Sequence, residues 1–144
     1  MNSKFVFGIL LVLISLLFVH PVYAEPQTPI EVVEIFIDGY GTAKMDQAAD
    51  VTTAEFRDNK PKSVWVAENW SLLSGLKYAH TYSKIIDTEI KDEKAIVLVD
   101  AEITTKAADA KQKEVYRLVK EGGRWLIDDL IVTDEEVDLE DYEL

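Results

Sequence analysis

The chain predicts an α+β fold, with three N-terminal helices packed on a curved four-stranded antiparallel sheet, and three observations carry that prediction. Apolar residues recur at helical spacing through Leu76 and then switch to a period of two. Turn-forming residues separate three short segments in the first half and long hairpin arms in the second. Once an N-terminal leader is set aside, residues 25–144 are enough for one core and too few for two ordinary domains.

The leader comprises Lys4, an apolar run from Phe5 to Val19, a helix-ending His20-Pro21, and the compact triplet Val22-Tyr23-Ala24. This is the pattern of a secretory signal cleaved after Ala24, and its apolar run falls short of the ~20 residues that span a bilayer. Three parts are expected: a signal peptide over 1–24, a folded domain over 25–133 and an acidic tail over 134–144. The protein is expected to be exported, periplasmic or secreted, and to keep no stable membrane anchor after cleavage.

Helix one starts at Thr28-Pro29-Ile30-Glu31, where Thr28 caps, proline suits the first turn and Glu31 closes a capping box. Ile30, Val33, Ile37 and Tyr40 share its apolar face, and Gly39 and Gly41 supply the exit. Asp46 is the expected cap of a short second helix through Val51. Ser63 is the expected cap of a third, whose apolar stripe includes Trp65, Val66, Trp70, Leu72, Leu73 and Leu76, with Gly75 as its terminator. Two tryptophans there imply heavy burial.

Four strands follow, at Lys77 to Ile90, Ala95 to Thr105, Glu114 to Lys120 and Arg124 to Val132. Lys91-Asp92-Glu93 makes the first turn and Glu121-Gly122-Gly123 the last, where glycine accepts positive φ without a steric penalty. The last two strands carry apolar residues on both faces, Val115 and Val119 opposing Tyr116 and Leu118, so both faces are expected to be partly buried. One would meet the helices. The other would meet a partner or a second copy, as a homodimer through the outer sheet face.

The opening Pro29-Ile30-Glu31-Val32-Val33-Glu34-Ile35-Phe36, the stretch Met45-Asp46-Gln47-Ala48-Ala49 with Glu55-Phe56, and the closing hairpin from Tyr116 to Asp129 resemble the nuclear transport factor 2-like superfamily. The likeness is strongest to its small exported domains of unknown function and covers roughly residues 28–133. It implies a cystatin-like cone with a pocket between helices and sheet, which some members use for catalysis and others for binding. Fold alone does not choose between them.

The composition narrows the options. The chain carries a net charge of −12, and removal of Lys4 with the leader makes it one unit more negative, which disfavours nucleic acid and anionic membrane surfaces. Cysteine is absent, which excludes thiol catalysis, thiolate metal ligation and disulfide bracing. No metal site and no cofactor are expected.

Tyr78, His80 and Tyr82 alternate along the first strand and so should leave one face. His80 is the only histidine outside the leader and titrates near neutral pH in its unperturbed form, which makes it the one candidate for proton transfer. Packing on a half-buried strand is the reading the sequence favours for all three. Asp38 and Tyr40 end helix one, where the resembling enzymes place residues at a pocket mouth, but Asp38 lies off the apolar stripe and reads as exposed. Trp65 and Trp70 read as core, with pocket lining as the alternative. No complete catalytic set matches the resembling enzymes.

Asp128 and Asp129, adjacent on a strand, should point to opposite faces. The tail holds seven acids in eleven residues, interrupted by Val137, Leu139 and Tyr142, and reads as a solvated segment. The leading function is therefore a non-catalytic domain that binds a small apolar ligand or a protein partner. The alternative is an isomerase- or dehydratase-type enzyme using His80 with Tyr78, Tyr82 or Asp38. N-terminal sequencing of the extracytoplasmic protein is expected to begin at Glu25; recovery of an intact Met1 form from membranes would instead mean a retained anchor.

Overall fold

A computed structural model describes residues 28–144; the expected signal peptide and the leader residues 25–27 lie outside that range. Helices α1 (Pro29–Gly39), α2 (Met45–Asp50) and α3 (Lys62–Leu76) precede strands β1 (Ala79–Lys91), β2 (Lys94–Thr104), β3 (Asp109–Glu121) and β4 (Arg124–Thr133). The strands form one antiparallel sheet in the order β1-β2-β3-β4. No helix among the described residues is long and apolar enough to cross a membrane.

The start of α1 is fixed reciprocally. The Glu31 amide donates to Thr28 Oγ1 at 3.2 Å and the Thr28 amide donates to Glu31 Oε2 at 3.0 Å, so two otherwise orphaned donors are satisfied. At its other end, Gly39 lets the backbones of α1 and α2 touch: a Cβ there would lie 2.8 Å from the Lys44 carbonyl oxygen and 3.1 Å from Ala48 Cβ. The helices that follow begin without the expected caps. Lys44 and Pro61 occupy the cap positions, and neither makes a side-chain capping bond. The turn out of α3 is made by Lys77 at φ +53°, two residues after Gly75.

The inner face of the sheet carries Ala95, Val97 and Val99 from β2 and Tyr116 and Leu118 from β3, opposite one another in register and packed against Val32, Val33 and Phe36 of α1. Trp65 is buried in this core, but Trp70 is 40% exposed, so the two tryptophans of α3 part company. The segment after α2 closes the β4 edge: Thr53 donates its amide to the Ile127 carbonyl at 2.9 Å, and the Ile127 amide donates to Val51 at 2.8 Å. Arg57 is buried beneath it, with Nη1 donating to the Ala49 and Thr52 carbonyls.

Strand β3 begins five residues before the expected start at Glu114, so its polar first half, Asp109 to Lys113, belongs to the sheet. The β3–β4 register shifts between Arg117 and Leu118, leaving Asp128 as the extra residue; its Oδ1 accepts the Thr53 hydroxyl at 2.8 Å.

The tail departs from expectation. A 3₁₀ turn, Leu139–Asp141, lays it across the outer face, where Leu139 is 5% exposed and packs with Ile96, Leu98 and Val115. Burying a leucine contributes about 1.5–3 kcal/mol. Ordering backbone costs ~1–2 kcal/mol per residue. Val137, Tyr142 and Leu144 pack beside Leu139 and add to its burial, so apolar contacts that charge density takes no account of hold the segment against its ordering entropy.

Trp125 is buried in the helix-side core, with Lys120 Nζ 5.6 Å from its ring centre. Trp125→Ala is expected to cost about 3–5 kcal/mol in denaturant titration; a loss below about 1 kcal/mol would contradict this facing of the hairpin.

Candidate functional site

The site begins with two backbone irregularities. Gly41, at φ +77°, brings the chain so close to Tyr78 that a Cβ would lie 2.8 Å from its ring, so this position needs glycine and in turn fixes the tyrosine. In β1 the pairing shifts between His80 and Tyr82, with His80 opposite Ile103 and Tyr82 opposite Glu102. Thr81 is the extra residue of this bulge. The strict alternation expected for Tyr78, His80 and Tyr82 is therefore broken: His80 faces the helices with Tyr78, while Tyr82 pairs on the other face and is exposed.

His80 meets a residue that the sequence reading passed over as a strand start. Its Nε2 lies 2.9 Å from Glu114 Oε1, and the two side chains are 8% and 2% exposed. Glu114 reaches His80 diagonally across β2, where the intervening inward residue is the small Ala101. Gln112 Nε2 donates to the same oxygen at 2.7 Å and the Tyr116 hydroxyl donates to Oε2 at 2.6 Å. Gln112, Glu114 and Tyr116 are two residues apart on one strand face, and that spacing was the available signal.

Burial pushes the Glu114 carboxyl upward, but the His80, Tyr116 and Gln112 hydrogen bonds and the charge attraction of His80 outweigh it and hold the group below its ordinary value. An ionised carboxylate only accepts, so Nε2 of His80 is its donor, and Nδ1 is the second nitrogen of the ring. The Tyr78 hydroxyl stands 3.4 Å from that Nδ1. Burial and the Glu114 charge raise the phenols of Tyr78 and Tyr116, which keeps both protonated at neutral pH. Tyr40 is raised by the same two causes.

Aromatic contacts tie this network to the core. Phe36 stacks on Tyr40 with ring centres 5.0 Å apart, Tyr40 meets Tyr78 edge-on at 5.7 Å, and Tyr78 meets His80 edge-on at 5.4 Å. Beside the network, a cleft of about 450 Å³ runs between the end of α1 and the start of β1. Ile37, Tyr40, His80 and Ile85 line it, with Glu34, Asp38 and Tyr82 also contributing.

The candidate residues thus divide. Tyr40 and His80 line the cleft and Tyr82 sits at its lip, whereas Tyr78 stands behind it against Gly41. Asp38 borders the cleft, but its carboxylate is 65% exposed and paired with Lys44 at 2.6 Å. Trp65 belongs to the core and Trp70 to the surface of α3, and neither borders the cleft. No cluster of three or more His, Asp or Glu residues suited to a metal ion occurs among the described residues.

No family model matches the chain, and no curated protein matches it. Solved structures do. A SEC-C motif containing protein from Rhodopseudomonas palustris is similar, with a TM-score of 0.60 at 16% identity over 76% of this chain and 82% of that one. A domain of unknown function with a cystatin-like fold from Nostoc punctiforme gives 0.57 at 12% identity over 77% of each chain. An NTF2-like protein of unknown function from Shewanella baltica gives 0.50 at 16% identity, covering 72% and 88%. The chain has the nuclear transport factor 2-like, or cystatin-like, α+β fold.

Because the folded-state pKa of Glu114 is depressed, its ionised form stabilises the protein above the ordinary carboxylate value of 4.5, and that contribution is lost as pH falls through the depressed value. Glu114→Gln is expected to lower stability at pH 7 by about 3–5 kcal/mol, as removing one partner of a buried pair does. It should also flatten the acid limb of the stability profile. Denaturant titrations between pH 3 and 7 check both.

Proposed function

We propose that this is an exported, non-catalytic binding domain whose cleft between α1 and β1 takes a small, partly apolar ligand, with His80 as the polar anchor. The helices are read as closing one end of a curved sheet to form the cone of this fold. One observation carries the proposal: a nearly buried histidine borders a cleft and is held in place by a carboxylate that two further donors, Gln112 and Tyr116, fix in turn. A group oriented so firmly is suited to recognition, because little entropy is lost when a ligand meets it. Ile37, Ile85 and the Tyr40 ring supply apolar contact beside it. The cleft lies within the size range of small-molecule sites.

The same dyad favours a second reading, an acid–base enzyme of isomerase or dehydratase type. Three arrangements weigh against it. Glu114 has its oxygens engaged, Asp38 is in solvent with Lys44, and Tyr82 pairs on the opposite sheet face.

Three probes separate these readings by NMR: indole, octylamine and octanoate. Binding predicts saturable shifts of the His80 and Tyr40 ring signals with one of them, abolished in Ile37→Trp, which fills the cleft. Shifts that stay linear in concentration, or that centre on Trp70, would overturn the site. For the enzyme reading, solvent deuterium should enter a β,γ-unsaturated ketone, and that exchange should disappear in His80→Gln.

A further inference from the structure

The outer sheet face has an occupant, the chain's own C-terminus. We propose that Val137–Leu144 is a detachable strap, and that its release bares a face on which a second copy of the chain docks, so that the tail gates self-association.

The manner of attachment comes first. Leu139 is buried on Ile96, Leu98 and Val115, Val137 and Leu144 pack beside it, and Arg117 sits 5.7 Å from the centre of the Tyr142 ring. The backbone hydrogen bonds of residues 137–144 close their own turn, Asp141 to Asp138 and Tyr142 to Leu139, and none joins the segment to a strand. Side chains alone hold it. A segment fixed in this way opens without breaking the ladder and belongs to the low-stability end of the molecule.

The face beneath explains the choice of partner. Around its apolar centre, basic and acidic residues stand opposite each other across the strands: Lys84 with Asp100, Asp100 with Lys113, Glu102 with Lys111, and Arg117 with Asp129. Lys113 forms an ion pair with Asp100, and Lys111 lies 3.0 Å from Glu102. In a chain of net charge −12, a surface of paired charges is one on which a second copy is not repelled. A two-fold contact sets such a face against itself, apolar centre on apolar centre.

The strap reverses both properties. Docked, it covers Ile96, Leu98 and Val115 and lays the four acids of its eight residues over the balanced face, with Asp134, Glu135 and Glu136 just before them, so a second copy meets steric cover and like charge together. Released, it takes that charge away. Glu136, 3.5 Å from Lys113, marks where the acidic stretch enters the face.

The test uses the full chain. Leu139→Asp removes the apolar anchor while keeping every acid, and Tyr142→Ala loosens the strap more gently. In sedimentation velocity, Leu139→Asp is expected to dimerise at least ~10-fold more tightly than the wild type, with Tyr142→Ala between them. Adding Leu98→Lys to Leu139→Asp should restore the monomer and place the contact on this face. Near-UV circular dichroism follows folding in each variant. The proposal is overturned if a folded Leu139→Asp stays as monomeric as the wild type, or if Leu98→Lys leaves its dimer intact. It is also overturned if Leu139→Asp and Tyr142→Ala both lose the cooperative fold, because the segment would then be integral and not detachable.

Discussion

A carboxylate buried between sheet and helix is the constraint around which this domain is arranged. Removing an ionised group from water costs several kcal/mol even after relaxation, and only close donors offset that. Glu114 has three, from Gln112, Tyr116 and His80, at 2.6–2.9 Å. Two come without effort from the same strand face, two residues to either side. The third demands more of the fold. His80 must face inward at one end of β1, and the Thr81 bulge then sets a register in which Ile85 opposes Val99, before a second shift at Ile86. Tyr78 supports the imidazole edge-on and is itself located by the tight turn at Gly41. A positive-φ glycine, a bulge, a small Ala101 and a buried acid thus belong to one arrangement.

Periodicity and local chemistry made much of the architecture legible. The capping box of α1 is readable from Thr28-Pro29-Ile30-Glu31 because both of its bonds are local. The Gly122-Gly123 hairpin is readable because two consecutive left-handed residues have few other solutions. The misplaced features are those that tertiary contacts decide. Asp46 and Ser63 look like caps, yet α2 and α3 start earlier and without them, α2 being held by packing of Met45, Ala48 and Ala49. Trp70 follows the helical stripe of Trp65, but α3 has no well-separated polar and apolar faces, so spacing could not say which tryptophan turns inward.

The site was half legible for the same reason. His80 stood out as the only histidine beyond the leader, and Tyr40 as the end of an apolar face. Glu114 did not stand out, because a glutamate at a strand start ordinarily meets water, and its inward register becomes apparent only once β3 is extended back to Asp109. Tyr82 was misassigned by a single inserted residue. Alternation is a strong rule within a regular strand, and one bulge inverts it for everything beyond.

The two faces of the sheet solve different problems with similar means. Inside, apolar residues and an aromatic chain from Phe36 through Tyr40 and Tyr78 to His80 surround one charge, and the charge is satisfied by short bonds in a fixed geometry. Outside, charges are many but paired across strands and open to water, where each pair contributes little, and the apolar centre is covered by a segment without ladder bonds. The inner face is therefore rigid and suited to holding a group in one orientation for recognition. The outer face is adjustable, since its cover is held by side-chain burial without ladder bonds, against the entropy of ordering it. That division places a fixed site and a changeable surface on opposite sides of the same four strands, so the surface can be uncovered without disturbing the buried pair.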